Sequence, residues 1–128
     1  MLSTGIKGEK SVEVVYENTA AALGSGLLEV FATPAMIALM ENTACTSVAG
    51  ELGEGEGTVG TLLNVKHLSA TPVGMTVRCE SELIEVDRKR LVFDVKAYDD
   101  AGLIGEGIHE RFIINNEKFM SKTQAKLG

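Results

Sequence analysis

The 128 residues predict an α+β fold in which a five-stranded, mostly antiparallel sheet wraps around one long central helix. Two observations carry that prediction. A single strand-like stretch precedes the one long helical signal, and four long extended segments separated by short turn-forming breaks follow it. A lone apolar helix beside five strands can bury itself only against one face of their sheet.

Each element has its own signal. Residues 1–10 mix Gly, Ser, Lys and Glu without period and read as a loose arm. Ser11 to Tyr16 then sets Val12, Val14 and Tyr16 against polar neighbours, the alternation of a half-buried strand. From Glu17 to Glu29, Gly24, Ser25 and Gly26 interrupt any long helix and leave a connection with at most a helical turn. The long helix runs from Pro34 to about Leu52: Thr33 offers an N-cap hydroxyl, Pro34 suits the first helical position, and Gly53 and Gly55 close the end. Extended segments follow at about Thr58 to Ser69, Met75 to Val86, Leu91 to Tyr98 and Leu103 to Asn115. Their breaks, Thr71-Pro72-Val73-Gly74, Asp87 to Arg90 and Asp99 to Gly102, are short and turn-forming, so the strands are expected to pair as an antiparallel meander. The tail after Asn116 has helical tendency.

Composition bounds the class. Hydrophobic residues at 45% and charged residues at 23% fit one globular domain spanning residues 1–128. A net charge of −6 with scattered Lys and Arg argues against nucleic acid as partner. The run Arg88, Lys89, Arg90 sits between two strands and reads as a solvated hairpin tip. Cys45 and Cys79 have neither metal-site spacing nor a neighbouring His, and both read as buried free thiols. With no secretory leader and no stretch approaching the roughly 20 apolar residues of a membrane span, a cytoplasmic location is expected. A sheet curled around a helix is the hot-dog architecture, and its open edge strand predicts a homodimer or a multiple of one.

Three polar residues stand where chemistry is plausible. On a helical projection Ile37, Ala44, Cys45, Val48 and Leu52 all fall within about 60° of Glu41, so a carboxylate lies on the apolar stripe and must be paired, hydrogen-bonded or neutralised. A core Arg, backbone groups or solvent at the stripe's edge would satisfy it; equally, a carboxylate held there suits a general base or nucleophile. Thr33 reads as a plain cap, or as a hydroxyl that joins the free amides of the helix N-terminus in holding a carbonyl oxygen as it turns anionic. His67 closes an apolar strand face shared with Val59, Thr61, Leu63 and Val65, and is either a core histidine or a proton carrier near neutral pH. His109 and Arg111 share a face of the last strand opposite Glu106 and Glu110, where a surface ladder of charge explains them as well as an inward Arg does.

Taken together, VFATPAMIALMENTA, GTLLNVKHLSATPVG and GEGIHERFII resemble the fluoroacetyl-CoA thioesterase-like branch of the hot-dog superfamily, over about Val12 to Ile114. The family spaces its catalytic Thr and Glu eight residues apart and its His 26 further on; Thr33, Glu41 and His67 reproduce both intervals. The resemblance implies a homodimeric acyl-CoA thioesterase with those three residues catalytic, Gly60 presenting a backbone amide to the acyl group, and Arg111 near the site. It implies no metal and no cofactor, with coenzyme A entering only as part of the substrate. The specialised fluoroacetyl enzyme closes its pocket with phenylalanines before the helix, where this chain has residues such as Gly24 and Leu27. A short or medium acyl group is therefore expected, with Glu41 attacking the acyl carbon or activating water. Two rivals remain on the same fold: an enoyl-CoA hydratase or dehydratase, and an acyl-CoA-binding protein without turnover.

Overall fold

Five strands form one sheet in the computed structural model, which describes residues 2–128: β1 (Lys7–Glu13), β2 (Glu56–His67), β3 (Thr76–Asp87), β4 (Arg90–Asp99) and β5 (Gly102–Asn115). Their order is β1-β3-β4-β5-β2, and every neighbouring pair is antiparallel. The α+β arrangement is as expected, but the full meander is not. Only β3, β4 and β5 follow one another as hairpins; β2 pairs with β5, so the segment after His67 crosses the molecule instead of turning back. Thr71 anchors that crossing: its hydroxyl donates to Asp99 Oδ2 at 2.7 Å, and its carbonyl accepts from Phe31 N at 2.8 Å.

The first strand begins at Lys7, earlier than its apolar alternation indicated. Pairing with β3 makes a strand of residues whose composition alone suggests a loose arm, and even Gly5 and Ile6 exchange backbone hydrogen bonds with Leu83. Gly8 is needed there, because a Cβ would sit 2.7 Å from Ser47 Cβ on the helix above.

The helix above is α2 (Thr33–Ala49). A short 3-10 turn (Tyr16–Asn18), the single turn α1 (Ala20–Leu23) and a return segment lead into it. That segment is tied at three points, Ala20 N to Val30 O, Ala32 N to Asn18 O and Phe31 N to Thr71 O, which sets where α2 starts. Ala32 is the N-cap and Thr33 already lies inside the helix, which begins one residue earlier than cap chemistry predicts. The helix ends at Ala49 with Gly50 as cap, so Leu52 and Gly53 belong to the following turn. Asn115 caps the C-terminal α3 (Asn116–Gln124), accepting from Lys118 N through its side chain.

Helix α2 packs mainly over β1 and β3. Met36, Met40, Ala44 and Val48 are fully buried against Val77, Leu83, Phe93 and Val95. The buried face is thus centred about a third of a turn from Glu41. The carboxylate lies on the flank of the stripe, toward β2 and β5, not in its middle. Of the two thiols only Cys79 is buried, while Cys45 on the same flank is partly exposed. Among the described residues no helix is long and apolar enough to cross a membrane.

Close approach of strands demands glycine at 107. A Cβ there would run into Asn64 O and lie 2.6 Å from Val65 Cα, both backbone atoms that cannot step aside without breaking the β2–β5 ladder. Gly107→Ala is expected to cost about 2 kcal/mol, within the usual range for overpacking. Thermal unfolding should then show a midpoint lower by roughly 5–10 °C, and an unchanged midpoint would contradict this packing.

Candidate active site

Two residues of β2 that the sequence singles out, Gly60 and His67, are seven positions apart, and regular alternation would send them to opposite faces. A β-bulge resolves this. The register with β5 shifts between Gly60 and Leu62, leaving Thr61 as the extra residue. Before it, Thr58 and Gly60 face the helix, with Thr58 Oγ1 against Cys45 Sγ and Gly60 against Glu41; after it, Val65 packs on the core and His67 reaches Thr33. Val59 and Thr61 therefore do not share the face of His67, contrary to simple alternation.

Thr33 and His67 meet. The hydroxyl lies 2.8 Å from His67 Nδ1, so the side chain that would have capped the helix is engaged with β2 instead. Pro34 has no N–H and Met36 N is bonded to Ala32 O, which leaves Thr33 and Ala35 as the first-turn amides without a partner in the helix. Burial lowers the pKa of His67, a pull the Ser69 backbone partly offsets. Its Nε2 is buried and has no hydrogen-bond partner among the described residues. A hydroxyl beside an imidazole held neutral at physiological pH is the geometry of a nucleophile or bound donor with its base. A cleft of about 280 Å³ opens beside this pair, lined among others by Ala20, Val30, Phe31 and Leu68.

Glu41 forms a second cluster with Gly60 and Arg111. The carboxylate occupies the space that a Cβ on residue 60 would fill, and Arg111 Nη1 stands 3.9 Å from Glu41 Oε2. Arg111 is 6% exposed, so the surface-ladder reading of His109 and Arg111 fails. Its Nε donates to Thr58 Oγ1 at 2.8 Å and its Nη2 to Thr58 O at 2.9 Å. His109 is fully buried beside it, with Nε2 at 3.2 Å from Arg111 Nη1 and Nδ1 at 2.9 Å from Leu62 O. The outward Glu110 instead grips Arg90, the last residue of the basic run, which is thus spent on the sheet surface.

The site residues expected from sequence therefore fall into two pairs on one helix, Thr33 with His67 and Glu41 with Arg111 at Gly60. Thr33 and Glu41 are two turns apart, about 12 Å along the axis. Among the described residues no hydrogen bond or ion pair joins the pairs, so a substrate spanning them is what would unite them. His109 is the residue whose importance the sequence reading underrates. A separate depression of about 350 Å³ on the outer side of β1, β3 and β4 mixes Lys7, Glu9, Glu82, Asp94 and Lys96 and contains none of these residues. No group of three or more His, Cys, Asp or Glu among the described residues is arranged to hold a metal.

Comparison with known proteins places the chain in a family. The family model for the fluoroacetyl-CoA-specific thioesterase matches residues 14–117. The fluoroacetyl-CoA thioesterase of Streptantibioticus cattleyicolor is 45% identical over 98 residues, covering 77% of this chain and 70% of the relative. A solved fluoroacetyl-CoA thioesterase bound to acetyl-CoA superposes with a TM-score of 0.94 at 35% identity, covering 99% of this chain and all of the other. A thioesterase-superfamily protein of Thermus thermophilus gives 0.88 at 27% identity, with 96% and 91% covered. On fold and on these relationships, the chain belongs to the fluoroacetyl-CoA-specific thioesterase family of the hot-dog fold.

Proposed function

We propose that the chain hydrolyses a short or medium acyl-coenzyme A thioester to the free acid and coenzyme A. The observation that carries this reading is the pairing of Thr33 with His67 two helical turns from a carboxylate held open by Gly60. The thioester carbonyl binds by the Thr33 hydroxyl and the unpaired amides of the helix N-terminus, where the helix dipole favours the developing negative charge. Glu41 acts on the acyl carbon, directly or through water, with Arg111 behind it. His67, neutral at the start, takes or returns the proton while the thiolate leaves. A thiolate is a good leaving group and needs little acid assistance. Binding of acyl-CoA is supported by the relatives, one of which is solved with fluoroacetate and CoA.

The acyl preference is set before the helix. Leu27 is 95% exposed and Leu28 69% in the segment before the helix, so this chain carries aliphatic side chains where the resemblance places phenylalanines in the specialised enzyme. That favours an unfluorinated acyl group. We also propose a homodimer through β2, an edge strand of 12 residues whose free side has no partner strand within the chain. Light scattering should give twice the 13.6 kDa chain mass, and a monomer at micromolar concentration would count against it.

The direct test is thiol release from acyl-CoA esters of increasing length. Wild type should turn over the shorter members, and Glu41→Gln should lose about a hundredfold or more in kcat while keeping its fold. Wild type that binds acyl-CoA but releases no thiol would favour the binding-protein reading instead. Hydration of an enoyl-CoA without thiol release would favour the hydratase.

The pH dependence follows from the histidines. Because burial lowers the pKa of His67, its neutral form survives below the ordinary 6.5, and kcat/KM should hold to below that value before falling; an acid limb centred above 6.5 would contradict the assignment. His109 is lowered too, chiefly by burial. Between the lowered values and 6.5 the unfolded chain binds more protons than the folded one, so stability rises with pH across that window. Melting temperature should be at its plateau above pH 6.5 and decline as pH drops below it.

A further inference from the structure

We infer that His109, which the mechanism above does not use, is a positioning residue that aims Arg111 at Glu41. The inference rests on the hydrolase reading of the same site.

Two partners of opposite kind fix the state of this ring. Leu62 O can only accept, so Nδ1 at 2.9 Å must carry the proton; Arg111 Nη1 can only donate, so Nε2 at 3.2 Å must be bare. His109 is therefore a neutral imidazole of one tautomer. Phe93 holds its plane, the two rings lying 6.2 Å apart and 30° from parallel. A second proton would set N–H against N–H between sheet and helix, next to the buried Arg111 guanidinium.

Arg111 spends its other donors on one residue. Nε and Nη2 both go to Thr58, on the near side of the bulge, while His109 ties itself to Leu62 on the far side. The two β5 side chains together thus staple β2 across Thr61. Nη1 carries two hydrogens in a plane, and with one taken by His109 Nε2 the Glu41 carboxylate at 3.9 Å is the anion that faces this nitrogen. The missing side chain of residue 60 completes the arrangement: its Cβ position lies 3.2 Å from His109 Cε1 and 3.3 Å from Arg111 Nη1. The charged groups around the ring are Arg111 on its own strand and Glu41 from the helix, while Glu110 is turned outward to Arg90.

Two substitutions separate the two bonds. In His109→Asn the amide nitrogen can still reach Leu62 O but nothing accepts from Arg111; in His109→Gln the longer side chain can place an oxygen at the Nε2 position. Thiol release by His109→Asn should fall by about tenfold or more in kcat with KM within roughly threefold, while His109→Gln should stay within about threefold of wild type in kcat. An equal loss in both variants, or a loss of melting temperature with no loss of kcat in His109→Asn, overturns the positioning role. Absence of thiol release from wild type would instead sink the hydrolase reading itself. Imidazole ¹⁵N spectra of the wild-type protein give a second readout that does not depend on turnover or on a variant folding. Protonated Nδ1 with bare Nε2 is expected at neutral pH, and a ring protonated on Nε2 overturns the inference.

Discussion

A β-strand repeats every two residues, and that period would forbid Gly60 and His67 from facing the same helix. The extra residue at Thr61 lifts the prohibition, and most of the site depends on it. Thr58 and Gly60 serve the Glu41 end of α2, while Val65 and His67 serve its core and its N-terminus, each half of the strand in its own phase. The helix imposes the matching spacing, since Thr33 and Glu41 are two turns apart and present side chains to successive parts of the same strand. Such a bulge aims side chains, which is the common use of bulges beside active sites.

A bulge needs something to hold it, and here the holding is electrostatic. An uncompensated guanidinium in the interior would cost several kcal/mol, so Arg111 is tolerable only because Thr58 and His109 take its donors and Glu41 stands near its charge. The same contacts bridge the disrupted ladder. Stability and chemistry are thus coupled at one point: the groups that make the buried cation acceptable are those that place the carboxylate. At the other end the coupling is looser, because Thr33 and His67 sit beside an open cleft and its partly exposed approach segment. That end is where the acyl group can vary.

Much of this was legible in the residues. Alternation and turn residues mark β2 to β5, whereas the first strand, expected from Ser11 to Tyr16, runs from Lys7 to Glu13 with Tyr16 in the 3-10 turn; Thr33-Pro34 marks the helix start to within one position. The cap was misplaced because the Thr33 hydroxyl has a partner 34 residues away, which local capping rules do not see. Strand order was hidden for the same reason: a crossing of the molecule and a return turn look alike when both contain Pro and Gly. The glutamate was conspicuous by being near an apolar stripe, although packing over β1 and β3 moved the buried face to one side of it. His109 and Arg111 were harder, since charge alternating with Glu106 and Glu110 fits an outward ladder equally well. The missed signal was Gly105 and Gly107 on the same face as His109 and Arg111, because a solvent-facing ladder has no use for two glycines while a strand pressed on a helix and a neighbouring strand does. Gly60 within a strand was the corresponding hint of the bulge.

The account's central claim is that one inserted residue unites the two ends of the site, and shortening the strand tests it most directly. In Thr61→Ala the bulge remains and only an exposed hydroxyl with its 3.2 Å hydrogen bond to Glu110 O is lost, so thiol release should stay within a few-fold of wild type. Deleting Thr61 leaves Gly60 opposite Arg111 and Leu62 opposite Glu110 with nothing between them, so Gly60 and His67 become six residues apart and both still face the helix. A deletion protein with a cooperative melt should therefore keep thiol release within about tenfold of wild type. A deletion protein that folds yet loses about a hundredfold or more in turnover would contradict this role of the bulge.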